Sequence, residues 1–350
     1  MDSAKTLSIH IVTWNSARYL PELFASLDAQ TSRDFTVTVV DNASADETAE
    51  WIAEHRPDVV LLRNNRNQGF SRGHNQAIAL ALQRWDLADL EKRYVMVTNP
   101  DLAFAPNAVE RLLALMDAHP EVASGAPKLL RAITSGHSDD GRLEAERTKV
   151  IDAVGIVLTR ARRSIDRGAG EEDKGQYDAD TRIFGPSGAC AIYRASALQR
   201  AKSGEDYFDE DFFSYQEDVD LAWRMRLFGM ESRLIPSAVV WHHRMAQSNP
   251  QASWFEAWKI RRTKSSYINT YSTRNHGWLL LKNDQGSNML LHLPWWLPYE
   301  VAKCLVSLLS PAQIRAQFAS LAGFPRMLRK RRDIQKRAVT PAAEMRKWFV

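Results

Sequence analysis

The sequence predicts an α/β fold built on a parallel central sheet covered by helices, and three observations predict it. Short β-branched runs recur at residues 7–14 (Leu-Ser-Ile-His-Ile-Val-Thr-Trp), 35–40 (Phe-Thr-Val-Thr-Val-Val), 59–62 and 94–98. Between them the apolar residues change to helical spacing, with Leu20, Leu23, Phe24 and Leu27 on one face, then Trp51 and Ile52, then a stretch over 75–82. The alternation itself is the third observation, because strand-helix-strand units bring successive strands side by side in parallel and cover them with helices.

The later elements are read the same way. Residues 184–198 join a Gly/Pro-rich loop to a short apolar strand and then a helix signal. Leu221, Met225 and Phe228 form a helical stripe that starts near Glu217 and is closed by Gly229. Val239-Val-Trp-His-His243 is another short strand, following Pro236. Residues 134–148 and 166–182 read as surface loops, and Ser44 as the cap of a helix starting near Asp46.

Composition narrows the class. With 350 residues, 45% hydrophobic and 25% charged, the chain has ample core and is not disordered. Its 2 cysteines, Cys190 and Cys304, give no disulfide framework and no zinc-ribbon spacing. The first residues lack the pattern of a signal peptide, so a cytoplasmic location is expected. The net charge of +4 hides an asymmetry: residues 257–350 hold 17 Lys and Arg against 4 Asp and Glu, leaving 29 against 38 in residues 1–256. This divides the chain into an acidic domain (1–256, with halves at about 1–125 and 126–256) and a basic helical extension (257–350).

Ligands of such sheets bind beyond the carboxyl ends of the strands, which directs attention to Asn15, Asp41, Asn42 and Asn99–Asp101. Neither G-x-G-x-x-G nor a P-loop is present, so a nucleotide must be held otherwise. Val40-Asp-Asn-Ala-Ser-Ala-Asp46 offers a strand-end carboxylate that can accept from a base N–H. In Asn67-Gln-Gly-Phe-Ser-Arg-Gly-His-Asn75 two glycines allow close approach, and Arg72 can meet a phosphate at a helix start. Val97-Thr-Asn-Pro-Asp101 ends in a turn carrying a carboxylate, the ligand type a hard cation requires.

These motifs, in this order after Thr13-Trp-Asn15, resemble the nucleotide-binding half of family 2 inverting glycosyltransferases, which implies the GT-A fold with a mixed, mainly parallel central sheet. The Asn-Pro-Asp form, with Arg274-Asn275 after the core, resembles the rhamnosyltransferase branch that builds bacterial surface polysaccharides. The resemblance implies a nucleoside-diphosphate sugar donor, dTDP-rhamnose or a UDP-sugar, and a saccharide or lipid-linked acceptor. It places Thr13, Asn15, Asp41, Asn67, Gly69, Arg72, Asn75, Asn99 and Asp101 on the donor side, with Asp41 at the pyrimidine base and Asp101 on a divalent cation, Mg²⁺ or Mn²⁺. Asn99 stands where many members carry an acid, which implies a hydrogen bond to ribose and removes one carboxylate from the metal. A histidine completes the metal site in related enzymes, and His242 corresponds best, with His243 the alternative. Gly188 and Ala189 border the acceptor. Glu217 and Asp218 resemble the base motif, Asp218 being preferred and Glu217 the alternative, while Asp220 reads as a helix-surface or structural acid.

Residues 289–309 are the most apolar stretch, interrupted by Pro294, Pro298, Glu300 and Lys303, so no spanning helix is expected. With Trp295, Trp296, Tyr299 and seven bases between Arg326 and Arg337, this tail reads either as a peripheral contact with the anionic inner face of the cell membrane or as helices packed on the body. A nucleotidyltransferase of related fold and a basic nucleic-acid-binding protein are the rival classes. The acidic body and the absence of a recognisable module weigh against nucleic acid.

Overall fold

The structure, a computed structural model, describes residues 5–137, 143–243, 266–307 and 311–350. Four parallel strands form its first half: β1 (Leu7–Thr13), β2 (Phe35–Asp41), β3 (Val60–Arg63) and β4 (Tyr94–Thr98), connected through α1 (Leu20–Asp28), α2 (Thr48–His55) and α3 (Gly69–Gln83). The second half adds β5 (Leu102–Phe104), α4 (Ala108–Ala118), β6 (Val122–His137), β7 (Leu143–Ala153), the hairpin β8 (Ile156–Leu158) and β9 (Ser164–Asp166), β10 (Cys190–Arg194), α5 (Ala195–Ala201), α6 (Glu217–Leu227) and β11 (Glu231–His242). The helices α7 (Ser266–Asn283), α8 (Gly286–Leu291), α9 (Leu293–Ser307), α10 (Pro311–Arg337) and α11 (Ala342–Arg346) follow.

Among the described residues nine strands make one mixed sheet in the order β3-β2-β1-β4-β10-β6-β11-β5, with β7 pairing antiparallel to β6 off this path. β10 runs antiparallel between β4 and β6, which reverses the chain at mid-sheet and brings the loop before β10 to the carboxyl ends of β1 and β4. Because successive strand residues point to opposite faces, Tyr94, Met96, Cys190 and Ile192 enter one core with α1 and α4. Val95, Val97, Ala191 and Tyr193 enter the other, with α3, α5 and α6. Trp278 of α7 and Met327 of α10 belong to that second core, Trp278 meeting Phe212 edge to face at 6.4 Å. The C-terminal helices therefore pack on the body.

Three local expectations are corrected. α3 begins at Gly69, six residues before the predicted stretch, because Asn67 Oδ1 accepts the Gly69 N–H at 2.8 Å and Gly69 takes φ +80°. Residues 134–137 and 143–148 extend β6 and β7 as a ribbon and are not loop. The helix after β2 starts at Thr48, whose N–H is accepted by Asp46 at 3.1 Å, so Ser44 is not its cap.

Candidate active site

Parallel register sets Thr13 beside Asp41 at the ends of β1 and β2. Asp41 is buried, and its carboxylate accepts from Thr13 Oγ1 at 3.1 Å, Ser44 N at 3.1 Å and Ser44 Oγ at 2.5 Å. Asn15, at φ +53°, donates its N–H to Ser44 Oγ and accepts from Ala45 N at 2.7 Å. Asn42 bridges to the next motif by donating to the Gly69 carbonyl at 3.0 Å. These tips border a cleft of about 330 Å³ that includes Thr13, Trp14, Asn42, Asn67, Gly69 and Tyr215.

Two donor-side residues lie differently from the rest. Both ends of the Asn75 amide are engaged by the Phe208 backbone, at 2.8 and 2.9 Å, which clamps α3 to the loop before α6. Arg72 is half-exposed and faces Glu210 at 3.7 Å. Neither lines the cleft, and nor do Asn15, Asp41, Asn99 and Asp101.

The Asn-Pro-Asp turn lies beside the acceptor segment, since Asn99 donates its N–H to the Ala189 carbonyl at 2.8 Å. The His243 N–H holds the Asp101 carbonyl at 3.0 Å, and β11 thereby sets the adjacent His242 ring against the Asp101 carboxylate, Nε2 to Oδ1 3.4 Å. His242 Nδ1 bonds Asp152 at 2.8 Å. Burial alone would discharge this imidazole, but Asp101 and Asp152 hold its proton and raise it to about 9. His243 turns the other way, to Glu22 at 2.8 Å, so of the adjacent pair it is His242 that faces the turn. Asp101 Oδ1 is buried and accepts no hydrogen bond. Among the described residues no group of three or more Cys, His, Asp or Glu forms a ready-made metal cluster.

Glu217 and Asp218 open α6. Asp218 accepts from Gly188 N at 2.9 Å and Val219 N at 2.8 Å. A Cβ on Gly188 would lie 3.2 Å from the Asp218 side chain, so glycine permits this approach. Burial raises Asp218 above its ordinary value, and the two N–H groups offset part of the rise. Burial with Asp218 alongside pushes Glu217 well above the carboxylate range, and its Oε2 has no hydrogen-bond partner. Asp220 is not a surface acid: fully buried, it accepts from Arg224 at 2.9 Å, Lys282 at 2.8 Å and Asn283 at 2.7 Å.

Sequence reasoning missed what α7 contributes. Phe213, Tyr215 and Gln216, just before α6, all have positive φ. Asn275 Nδ2 reaches the carbonyls of Phe212, Ser214 and Tyr215 at 2.7, 2.9 and 2.7 Å, and Arg274 those of Asp211 and Phe212. The same loop touches the donor motif, for Ser71 N bonds the Phe213 carbonyl, and a Cβ on Gly69 would lie 2.4 Å from that oxygen. Tyr267 and Ile268 of α7 complete the cleft wall. The Arg-Asn pair was the available signal, but only the fold shows what it holds. Asp152, 90 residues from its partner His242, left no signal at all.

The family model described as Glycosyl transferase family 2 matches residues 8–201, more than half of the chain. The chain belongs to glycosyl transferase family 2. A second model, Glycosyl transferase family group 2, matches residues 175–325 and so takes in α6 to α9. This enzyme is an inverting glycosyltransferase, and its mixed sheet with C-terminal helices is the GT-A arrangement. It is 28% identical over 293 residues to the N-acetylglucosaminyl-diphospho-decaprenol L-rhamnosyltransferase of Mycobacterium tuberculosis, covering 78% of this chain and 86% of that one. It is 27% identical over 116 residues to an uncharacterized glycosyltransferase of Haemophilus influenzae, covering 33% of this chain and 36% of that one. Residues 1–349 of TarS from S. aureus, crystallised with UDP, superpose with a TM-score of 0.45 at 15% identity, covering 93% of this chain and 91% of that one. Family membership sets aside the nucleotidyltransferase and nucleic-acid-binding readings.

Proposed function

We propose that this glycosyltransferase moves rhamnose from a nucleoside-diphosphate donor, dTDP-rhamnose before a UDP-sugar, to a hydroxyl of a lipid-linked saccharide during synthesis of a bacterial surface polysaccharide. The observation that carries the reading is the 28% identity, over most of both chains, to an enzyme named for rhamnosyl transfer to a diphospholipid-linked sugar. The chain would act at the inner face of the cell membrane; among the described residues no helix is long and apolar enough to cross one.

In this reading Asp218 takes the proton of the acceptor hydroxyl as its oxygen bonds to the anomeric carbon. The bond from that carbon to the diphosphate oxygen breaks on the opposite face, giving the inverted product. Gly188 and Ala189 border the acceptor, and Glu217 is the alternative base. The strand tips with Thr13, Asn15 and Asp41, and the Asn67–Gly69 turn, shape the nucleotide end. Asn99 faces the ribose. Arg72, on the outside of α3, would reach a phosphate only by leaving Glu210.

The residues at Asp101 fit a divalent cation. Its buried Oδ1 lacks a hydrogen bond, His242 Nε2 stands 3.4 Å from it, and the bond from Nδ1 to Asp152 orients the ring as outer partners of metal-binding histidines do. Asp101 and His242 would hold Mg²⁺ or Mn²⁺ once the ion displaces the proton that Asp101 and Asp152 keep on the imidazole, and the bound ion would neutralise the departing diphosphate.

The test is transfer from dTDP-rhamnose and UDP-sugars to a synthetic N-acetylglucosaminyl-diphospholipid, with Mg²⁺, Mn²⁺ or chelator, and NMR of the product. Rhamnosyl product of inverted configuration, lost with chelator, is expected. Transfer only from UDP-sugars would overturn the choice of donor, and full activity in chelator would remove the metal.

A further inference from the structure

The C-terminal helices reverse the usual amphipathic arrangement. α9 turns Lys303 and Ser307 inward as its fully buried residues, and Glu300 bonds His276 at 2.9 Å and Lys303. Burial would raise Glu300, but those two partners hold it down at about 2. Outward, one turn apart along a single stripe, stand Leu293, Leu297, Val301 and Leu305, the last three 43, 51 and 61% exposed. α8 repeats the pattern, burying Asn288 and leaving Leu290 75% exposed. A surface helix in water turns its apolar stripe to the core. The opposite choice, sustained over two successive helices, is the stable one where the outer side meets an apolar medium. At 1.5 Å per residue α9 is about 22 Å long, short of a bilayer's hydrocarbon core, so it would lie in the boundary.

What covers this face is argued from the groups at its border. The exposed Trp295 carries the Arg160 guanidinium 5.4 Å from its ring centre, and Tyr299 carries that of Arg163 at 5.9 Å. Both arginines belong to the turn between β8 and β9. The next residue, Ser164, donates to Gln216 at 3.1 Å, and Asp166, at the other end of β9, is close enough to Asp218 to raise its carboxyl further. Apolar stripe, aromatic border, arginines and candidate base thus follow one another. Aromatic rings and cations at the edge of an apolar surface match the headgroup level of an anionic bilayer. A second copy of the chain on the same face would bring the arginine pairs toward each other without an anion between them.

We propose that the outer face of α8 and α9, bordered by Arg160 and Arg163, seats this enzyme on an anionic bilayer with its acceptor side toward the membrane. The proposal rests on the lipid-linked acceptor reading above. It keeps the expected Trp-bearing apolar segment and departs from the expectation that the bases between 326 and 337 add to the contact. Of those, Arg326 and Lys330 pair with Asp211, Lys330 also with Asp209, Arg331 bonds the Leu281 carbonyl, and Arg337 bonds the Lys202 carbonyl.

The full-length chain should co-sediment with vesicles of phosphatidylglycerol and phosphatidylcholine at low salt, and weakly with phosphatidylcholine alone. Leu297→Glu with Val301→Glu should reduce partitioning roughly tenfold or more. Arg160→Glu with Arg163→Glu should remove the preference for the anionic lipid. Arg329→Gln with Arg332→Gln and Lys336→Gln, on α10, should reduce binding less than the Arg160/Arg163 change when compared at physiological salt, because the proposal assigns the contact to α8 and α9. Thermal unfolding and nucleotide binding establish that each variant is folded. Failure of the wild type to sediment, loss of binding only in the α10 triple variant, or a dimer that Leu297→Glu dissociates while vesicles are ignored would each overturn the proposal. Transfer to a short water-soluble acceptor tests the lipid-linked reading separately: activity there without vesicle binding sinks the docking face alone.

Discussion

The two sides of the cleft are held by different means. On the donor side, side chains from the strand tips satisfy nearby backbone: Asp41 takes the N–H of Ser44, Asn67 that of Gly69, Asn15 that of Ala45. On the opposite wall, taken as the acceptor side because it leads into Glu217 and Asp218, Phe213, Tyr215 and Gln216 have positive φ, as Asn15 and Ala43 do on the donor side, each at a cost on the order of 1–3 kcal/mol for a non-glycine residue. The loop before α6 is held from some 60 residues downstream by Arg274 and Asn275. The strand-tip motifs on the donor side are therefore held mainly by one another, with the Gly69–Phe213 contact as their link to the opposite wall, whereas that wall is held by the docked C-terminal helices. A change in α7 should consequently damage catalysis more than an equally large change at a strand tip.

The largest expected effect is at the acceptor side itself. Asp218→Asn keeps the N–H contacts of one oxygen but removes the proton acceptor, so transfer should fall by roughly two to four orders of magnitude, with donor binding by calorimetry preserved. The base works as carboxylate. Because burial holds Asp218 above its ordinary value, activity should decline on acidification at a higher pH than an exposed aspartate would dictate. A fully active Asp218→Asn with an inactive Glu217→Gln would transfer the role to Glu217, whereas a profile flat to below the ordinary aspartate range would rule out both buried carboxyls as the base.

Next comes the buried charge that ties α7 to α6. Lys282 lies between Asp209 and Asp220, at 2.5 and 2.8 Å, all fully buried. Lys282→Met removes the cation shared by the two carboxylates, leaving Asp220 to Arg224 and Asp209 to Lys330, and should destabilise the fold by up to about 3–5 kcal/mol. The sign with pH follows from Asp209. Its burial favours the protonated form, but Lys282 and Lys330 hold the carboxyl well below its usual range, so its share of stability is present above the unfolded value and lost as pH falls. The deficit of Lys282→Met in denaturant titrations should accordingly shrink toward acidic pH. An unchanged deficit would mean that packing of the lysine stem, not charge, is what was removed.

These examples also mark how much was legible. The strands β1 to β4, the order of the motifs and the Glu217-Asp218 helix start are written in local periodicity and in short-range chemistry, and they stand where expected. The start of α3 was not, because whether Asn67-Gln-Gly begins a helix depends on Gly69 fitting beneath Phe213. Asp152 beneath His242 and Asn275 beneath the acceptor loop are pairings across the sheet and between distant helices, for which sequence spacing carries no information. The apolar stretch 289–309 was visible as such, but composition cannot say that α9 faces its lysine inward.

Asn275→Ala sharpens the comparison without touching a candidate catalytic group. Three buried carbonyls lose their donor, which should reduce stability by about 1–3 kcal/mol. If the loop is positioned by this amide, kcat should fall by more than tenfold while KM for the donor stays near wild type, since the strand tips are untouched. Equal changes in kcat and KM, or a loss of activity that tracks only the unfolded fraction, would reduce Asn275 to a structural role.

The smallest effect should come from the donor side. Asn67→Ala removes the acceptor for one N–H at the start of α3, and loss of such a cap costs typically about 1 kcal/mol. Asn42 still holds the Gly69 carbonyl, and Asn75 still clamps α3 to Phe208, so the helix has other anchors. Donor KM should rise only a few-fold with kcat nearly unchanged, read by initial rates at saturating acceptor. Should Asn67→Ala instead depress kcat as strongly as Asn275→Ala, the Gly69–Phe213 contact would be transmitting strain between the two sides. The cleft would then behave as one mechanical unit, and the contrast between a self-sufficient donor side and a dependent acceptor side would fail.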